Sequence, residues 1–173
     1  MRTTSTLLAA LLVALALPRP SRALPPPGAR VPRFSVDDIE GVTHSERDLR
    51  GRWSVALVMT DKDVRDDLAA WWRRLEGALP ASARMYTFGA LNIVPLVPTA
   101  VLVDRARDST PRSLWRTVWF SRDGSFARAL GLPEEELPWV VVIDPEGRIV
   151  TTLHERVSDD AVNRVLARVP STP

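Results

Sequence analysis

The stretch WSVALVMTDKDVRDDLAAWWRRL, Trp53 to Leu75, constrains the fold more than any other part of the chain. It opens on an apolar run, Val55 to Met59, which suits a strand buried on both faces. Thr60 to Asp63 break the run with polar residues. Val64, Leu68, Trp71, Trp72, Leu75 and Leu79 then follow a helical spacing of three and four. The segment therefore predicts a buried strand, a tight polar loop and an amphipathic helix. In open α/β sheets the ligand crevice lies outside the carboxyl ends of the strands, where this loop falls.

The rest of the chain repeats that alternation. Phe34 to Ile39 predicts a short first strand, Gly41 a turn, and Ser45 to Arg50 a short helix or turn. After the central helix, Arg84 to Leu91 predicts a strand and Ile93 to Pro98 a loop with two prolines. Thr99 to Asp108 fits a helix, although its TAVLVD portion also fits a strand. Thr117 to Phe120 predicts a strand, Ser121 to Gly124 a turn, and Ser125 to Leu130 a short helix with Gly131 as its stop. Trp139 to Asp144 and Ile149 to Leu153 predict an antiparallel pair joined by the turn residues Pro145 to Arg148. Ser158 is a good N-cap for a last helix that buries Val162, Val165, Leu166 and Val169. Strands alternating with helices, closed by a hairpin and a helix, imply an α/β sandwich with a mixed sheet.

The first 23 residues do not belong to that domain. Arg2, the apolar run Leu7 to Leu17 and the small-residue pair in Ser21-Arg22-Ala23 have the layout of a secretory signal peptide cleaved after Ala23. The run is short for a bilayer span, and retention as an N-terminal anchor is the alternative. Residues 24–32, LPPPGARVP, form a proline-rich leader expected to be extended and mobile. The domain itself is expected over residues 33–170, in a protein exported to the periplasm or secreted. The formal net charge of +2 falls to −1 once Arg2, Arg19 and Arg22 leave with the signal. Nothing in that balance argues for nucleic acid, or for a membrane surface after cleavage. The chain has no cysteine, which removes disulfide exchange, thiolate catalysis and thiolate metal sites.

The order of elements and two local motifs resemble the thioredoxin-like superfamily. In its exported redox branch a strand-loop-helix carries a Cys-x-x-Cys pair, and Thr60 to Asp67 stand in that place here. A proline in a cis peptide precedes a later strand that ends in an Asp-x-x-Gly turn. Leu137-Pro138, Trp139 to Asp144 and Gly147 match that pattern. The segment FSRDGSFARALGLP resembles the peroxiredoxin-type insert. The loop region, the middle segment and the hairpin VVVIDPEGRIV are most similar to the YtfJ-type family, exported members that also lack the redox pair. The resemblance spans about Phe34 to Val169. It implies a thioredoxin-like three-layer sandwich, a central mixed β-sheet flanked by helices. It departs at Asp63-Val64-Arg65-Asp66, which keeps the spacing of the redox pair but carries carboxylates.

The resemblance implies a domain without thiol redox activity, with a binding or structural role and no cofactor. Its crevice would be formed by Thr60, Asp61, Asp63, Asp66, Leu137 and Pro138. In thiol-bearing relatives that crevice receives an extended peptide, so a peptide or protein ligand is expected. The alternative is a metal-dependent phosphatase-like hydrolase, because Asp61 and Asp63 form Asp-x-Asp after a buried strand. Against both stands a structural reading, in which Asp63, Asp66 and Asp67 cap the positive end of the central helix. A cation held by Asp61, Asp63 and Asp66 or Asp67 is a further possibility on charge alone. His44 and His154 are expected at the surface or in loops, without a shared metal.

Overall fold

The computed structural model describes residues 24–90, 98–121 and 123–170. The expected signal peptide, the loop residues Leu91 to Val97 and the turn residue Arg122 lie outside them. Seven strands form one sheet: β1 (Ser35–Asp38), β2 (Thr43–Ser45), β3 (Trp53–Met59), β4 (Ala83–Gly89), β5 (Val118–Phe120), β6 (Trp139–Ile143) and β7 (Ile149–His154). The helices are α1 (Arg65–Glu76), α2 (Thr99–Ser109), α3 (Ser125–Ala129) and α4 (Asp159–Leu166). The spatial order is β2-β1-β5-β4-β3-β6-β7. β3 pairs parallel with β4 and β4 parallel with β5, while every other pair is antiparallel. The sheet is therefore mixed, as expected.

β3 lies inside the sheet, and Ser54 to Val58 are all buried, so its apolar run has no exposed face. Alternate residues feed two separate cores. Val55 and Leu57 join Trp71 and Leu75 of α1 and Val162 and Val165 of α4. Ala56 and Val58 join Phe88, Trp119, Phe126, Leu130 and Trp139 on the opposite face. The period-two alternation of a strand thus makes the three layers: α1 and α4, the sheet, then α3 with its flanking loops. Of the adjacent tryptophans, Trp71 is fully buried and Trp72 half-buried, as two residues about 100° apart on a helix require.

α2 settles the ambiguity of TAVLVD in favour of a helix. A six-residue 3-10 helix, Arg112 to Thr117, follows Pro111, which cannot continue the preceding helix. Trp115 there takes Arg107 and Arg112 within 5.4 Å of its ring centre, and Arg107 Nε donates to the Ile39 carbonyl. These contacts tie α2 to the β1 side of the sheet.

The leader departs from expectation. Pro26 to Ala29 make a turn with Gly28 at φ +87°, a conformation glycine adopts without steric cost. Gly28 N then donates to Ile149 O, Ile149 N to Ala29 O, and Val31 N to Gly147 O, at 2.7, 2.8 and 2.9 Å. Val31 is buried in the core. Three backbone bonds and a buried valine hold the leader against the β6–β7 turn, so it is not free there.

Candidate functional site

Three strand ends meet at one edge of the sheet. β3 ends at Met59, β6 begins at Trp139, and β7 ends at His154, paired with Trp139. Antiparallel pairing brings the start of β6 and the ends of its two neighbours to the same side. Between them lies a cleft of about 600 Å³ lined by Asp61, Glu134, Glu135, Glu136, Leu137 and His154. It lies beside the carboxyl end of the buried strand β3.

The wall of the cleft is held in place. The buried Thr60 hydroxyl accepts from Glu135 N at 3.2 Å, joining the loop after β3 to the segment before β6. Trp139 Nε1 donates to the Pro133 carbonyl at 3.2 Å. The His154 ring stacks on Trp139, with centroids 4.1 Å apart and planes 15° apart. His154 Nε2 is buried with no hydrogen-bond partner among the described residues. Pro133 to Leu137 are thus an irregular segment pinned at two points beside an open space.

The expected site residues separate into three groups. Asp61 and Leu137 line the cleft. Thr60 and Pro138 are buried behind it. Asp63 and Asp66 do not line it. Asp63 is exposed and pairs with Lys62 at 3.4 Å, and Asp66 is exposed in the first turn of α1. No cis peptide occurs among the described residues, so Leu137-Pro138 is trans, in contrast to the pattern it resembles.

The capping arrangement also differs from expectation. Asp61 is the cap: its Oδ1 accepts from Asp63 N at 2.7 Å and starts the 3-10 turn Lys62 to Val64 that leads into α1. Val64 precedes α1 without a side-chain cap, while Asp66 and Asp67 sit in its first turn, where the dipole favours them. With Asp61 engaged in the loop and Asp63 turned to Lys62, the two carboxylates do not form a joint acid–nucleophile pair. Among the described residues no three of His, Asp or Glu are grouped to hold a metal ion. The phosphatase-like reading has no support in this arrangement.

Glu134 to Glu136 and His154 were not expected in the site. A run of three glutamates in a loop reads as solvated, and a histidine at a strand end reads as surface. The usable signal was register: a hairpin centred on Pro145 to Arg148 returns His154 to Trp139. His44 also proves to be more than a loop residue. It lies in β2, stacks on Trp119 at 4.3 Å and 7°, and places Nε2 2.9 Å from Oδ2 of the buried Asp38. Burial pushes the Asp38 carboxyl up, but His44 and the amides of Val42 and Glu40 outweigh it and hold the group below the usual range.

A second, smaller cleft of about 480 Å³ lies beside the end of β5, with Asp37, Ser121, Asp123 and Ser125 in its wall. The hydroxyls of Ser125 and Ser121 and the amide of Ser125 hold Asp123 well below the usual carboxylate range. Its hydrogen bonds are made within the turn that starts α3, which gives them a structural role.

No family model and no curated protein sequence matches the chain. Solved structures do. An exposed lipoprotein thioredoxin of Streptococcus pneumoniae matches with a TM-score of 0.59 at 15% identity, over 79% of this chain and 99% of that one. A thio-disulfide isomerase from Thermus thermophilus matches with a TM-score of 0.58 at 16% identity, over 83% and 96%. Yeast Sco1 with copper bound matches with a TM-score of 0.59 at 17% identity, over 83% and 93%. Identities this low establish the architecture and nothing finer. With its mixed seven-stranded sheet between helical layers, the chain has the thioredoxin-like fold, and it has it without a single cysteine.

Proposed function

We propose that this is an exported thioredoxin-fold domain that binds a peptide or protein segment rather than performing thiol chemistry. The observation that carries the reading is the cleft between Asp61, the Glu134 to Leu137 segment and His154. It is open and lies at the strand ends where open α/β sheets take ligands. Its wall is an irregular segment held from behind by Thr60 and Trp139, so a ligand meets a surface already in place. The lack of cysteine leaves no thiolate for disulfide exchange at the crevice.

Export rests on the composition of Met1 to Ala23, and the exposed lipoprotein among the similar folds is consistent with it. The YtfJ-type resemblance is the finer family reading, and it agrees with the missing redox pair.

The test is amide chemical-shift mapping on the domain from Leu24 onward, titrated with a pool of capped peptides of mixed sequence. Shifts confined to Asp61, Glu134 to Leu137 and His154 are the expected result. Saturable shifts only elsewhere, or none at any peptide concentration up to about 1 mM, a free energy near −4 kcal/mol, would sink the reading.

A further inference from the structure

β3 runs from Trp53 to the cleft, which sets the other end of the sheet about 20 Å away. That far end is built from neighbouring pieces of chain. Gly51 N donates to Pro145 O and Val31 N to Gly147 O, at 2.8 and 2.9 Å, so the approach to β3 and the leader both sit against the β6–β7 turn. β4 starts beside them, with Arg84 across from Ser54. These pieces carry Arg30, Arg50, Arg52, Arg84 and Arg148, all exposed. The acids beside them are mostly drawn inward. Glu46 is buried and pairs with Arg50 at 3.8 Å. Asp144 is half-buried, and its Oδ1 accepts from Arg148 N at 2.7 Å. Glu146 is exposed in the turn. Arg47 and Asp48 of the 3-10 turn before Arg50, and Glu76 and Arg168 at the ends of α1 and α4, add charges of both signs equally. The balance over the whole chain, which argues for no membrane surface, averages this end with the acidic lining of the cleft at the other.

Two of the arginines oppose each other. Arg30 and Arg148 are partners in the antiparallel bridge that holds the leader, and neither makes an ion pair among the described residues. Like charges directly opposite across paired strands are destabilising, and an anionic surface laid against them offsets that cost. The chain also enters the domain here. Ala23, the last residue of the expected signal, precedes Gly28 by five residues, a reach of at most about 18 Å. The segment with the apolar run Leu7 to Leu17 therefore joins the domain beside these arginines.

We propose that this arginine-bearing end lies against the anionic headgroups of the membrane the chain crosses, with the acidic cleft turned away from it. Charge complementarity and the place where the N-terminal segment attaches select the same end. The choice of membrane rests on the export reading, and the contact itself is independent of any peptide in the cleft. An anionic bilayer attracts basic groups held near its surface, each arginine strengthening binding about fivefold, and the attraction fades within a Debye length.

The experiment is co-sedimentation of the chain from Leu24 onward with vesicles of phosphatidylcholine alone, or with about a third phosphatidylglycerol, at about 20 mM and about 500 mM salt, where screening differs strongly. Binding should appear with the anionic vesicles at low salt, fall at least about tenfold at high salt, and be absent from the neutral ones. Arg30→Gln with Arg148→Gln, and separately Arg52→Gln with Arg84→Gln, should each weaken it at least about tenfold. Arg73→Gln with Arg105→Gln removes two exposed arginines of α1 and α2 and should change it by less than about twofold. All six side chains are exposed, and thermal melts report the fold of each variant. Equal losses in the three double variants would reduce the effect to overall charge and overturn the proposal. No binding to anionic vesicles, or equal binding to neutral ones, would overturn it as well. Release by millimolar pyrophosphate at constant ionic strength would assign the arginines to a small soluble anion instead of a membrane.

Discussion

Replacing Asp38 tests the reasoning on buried polar groups most directly. Its carboxylate is 1% exposed and accepts three hydrogen bonds: Glu40 N at 2.8 Å, Val42 N at 2.9 Å and His44 Nε2 at 2.9 Å. Asp38→Ala leaves all three donors without their acceptor. Bonds to a charged group contribute about 1.5–3 kcal/mol each, but Glu40 and Val42 lie in an exposed turn where water recovers part of that. The expected loss is about 3 kcal/mol at neutral pH. Asp38→Asn keeps one oxygen for the two amides and loses the charge toward His44, so about 1 kcal/mol is expected. The pH dependence has a definite sign. The folded pKa of Asp38 lies below its ordinary value near 3.8, which the unfolded chain keeps. Such a group stabilises the fold above its unfolded pKa and loses that contribution as pH falls through the folded one. The gap between parent and Asp38→Ala should therefore be full at neutral pH and shrink below about pH 4. Urea unfolding of parent and both variants across that range measures it. A loss under about 0.5 kcal/mol at neutral pH, or one that stays constant into strong acid, would refute the argument.

Asp61→Ala should cost about 1 kcal/mol, read from thermal melts, because it removes the acceptor that starts the turn into α1. Asp63→Asn should change stability by less than about 0.5 kcal/mol, since that side chain is exposed and paired only with Lys62. Trp71→Ala should cost about 3–5 kcal/mol by urea unfolding, as a fully buried ring whose Nε1 also donates to the Glu155 carbonyl. Gly147→Ala should lose about 1–2 kcal/mol in the same assay. The new Cβ meets Arg50 at 3.3 Å and the residue sits at φ +77°. Purified protein should give no insulin reduction above buffer with or without added thiol, because no thiolate exists to attack the disulfide.

The parts of the fold legible in the sequence are those where periodicity reports burial. Val55 to Met59 read as doubly buried because β3 lies between β4 and β6 with a helix layer on each side. Ser158 read as a cap, and its side chain accepts from Ala161 N. β2 leaves no sequence signature, because three residues carry no period. TAVLVD stayed ambiguous because a short apolar run does not distinguish helix from strand, and α2 buries none of its described residues deeply enough to impose a clear stripe. The leader's contacts are not legible in the sequence, because proline content speaks to stiffness. It says nothing of the hairpin turn that accepts Gly28 to Val31.

The site was half legible for a related reason. Asp61, Glu135 and His154 are far apart in sequence, and the pairing of β3, β6 and β7 is what joins them. Spacing along the chain points to Asp63 and Asp66, which keep the spacing of a Cys-x-x-Cys pair. The 3-10 turn redirects that logic. With Asp61 holding Asp63 N, the turn buries Val64 completely and leaves Asp63 exposed beside Lys62. The loop therefore presents its first acidic residue to the cleft and turns the next one to solvent. The cleft lining comes from three strand ends, one acid from the loop after β3, three from the segment before β6 and the histidine at the end of β7. A substitution series that follows the Asp63–Asp66 spacing would probe the exposed start of α1, whereas one that follows the cleft lining probes the proposed binding site.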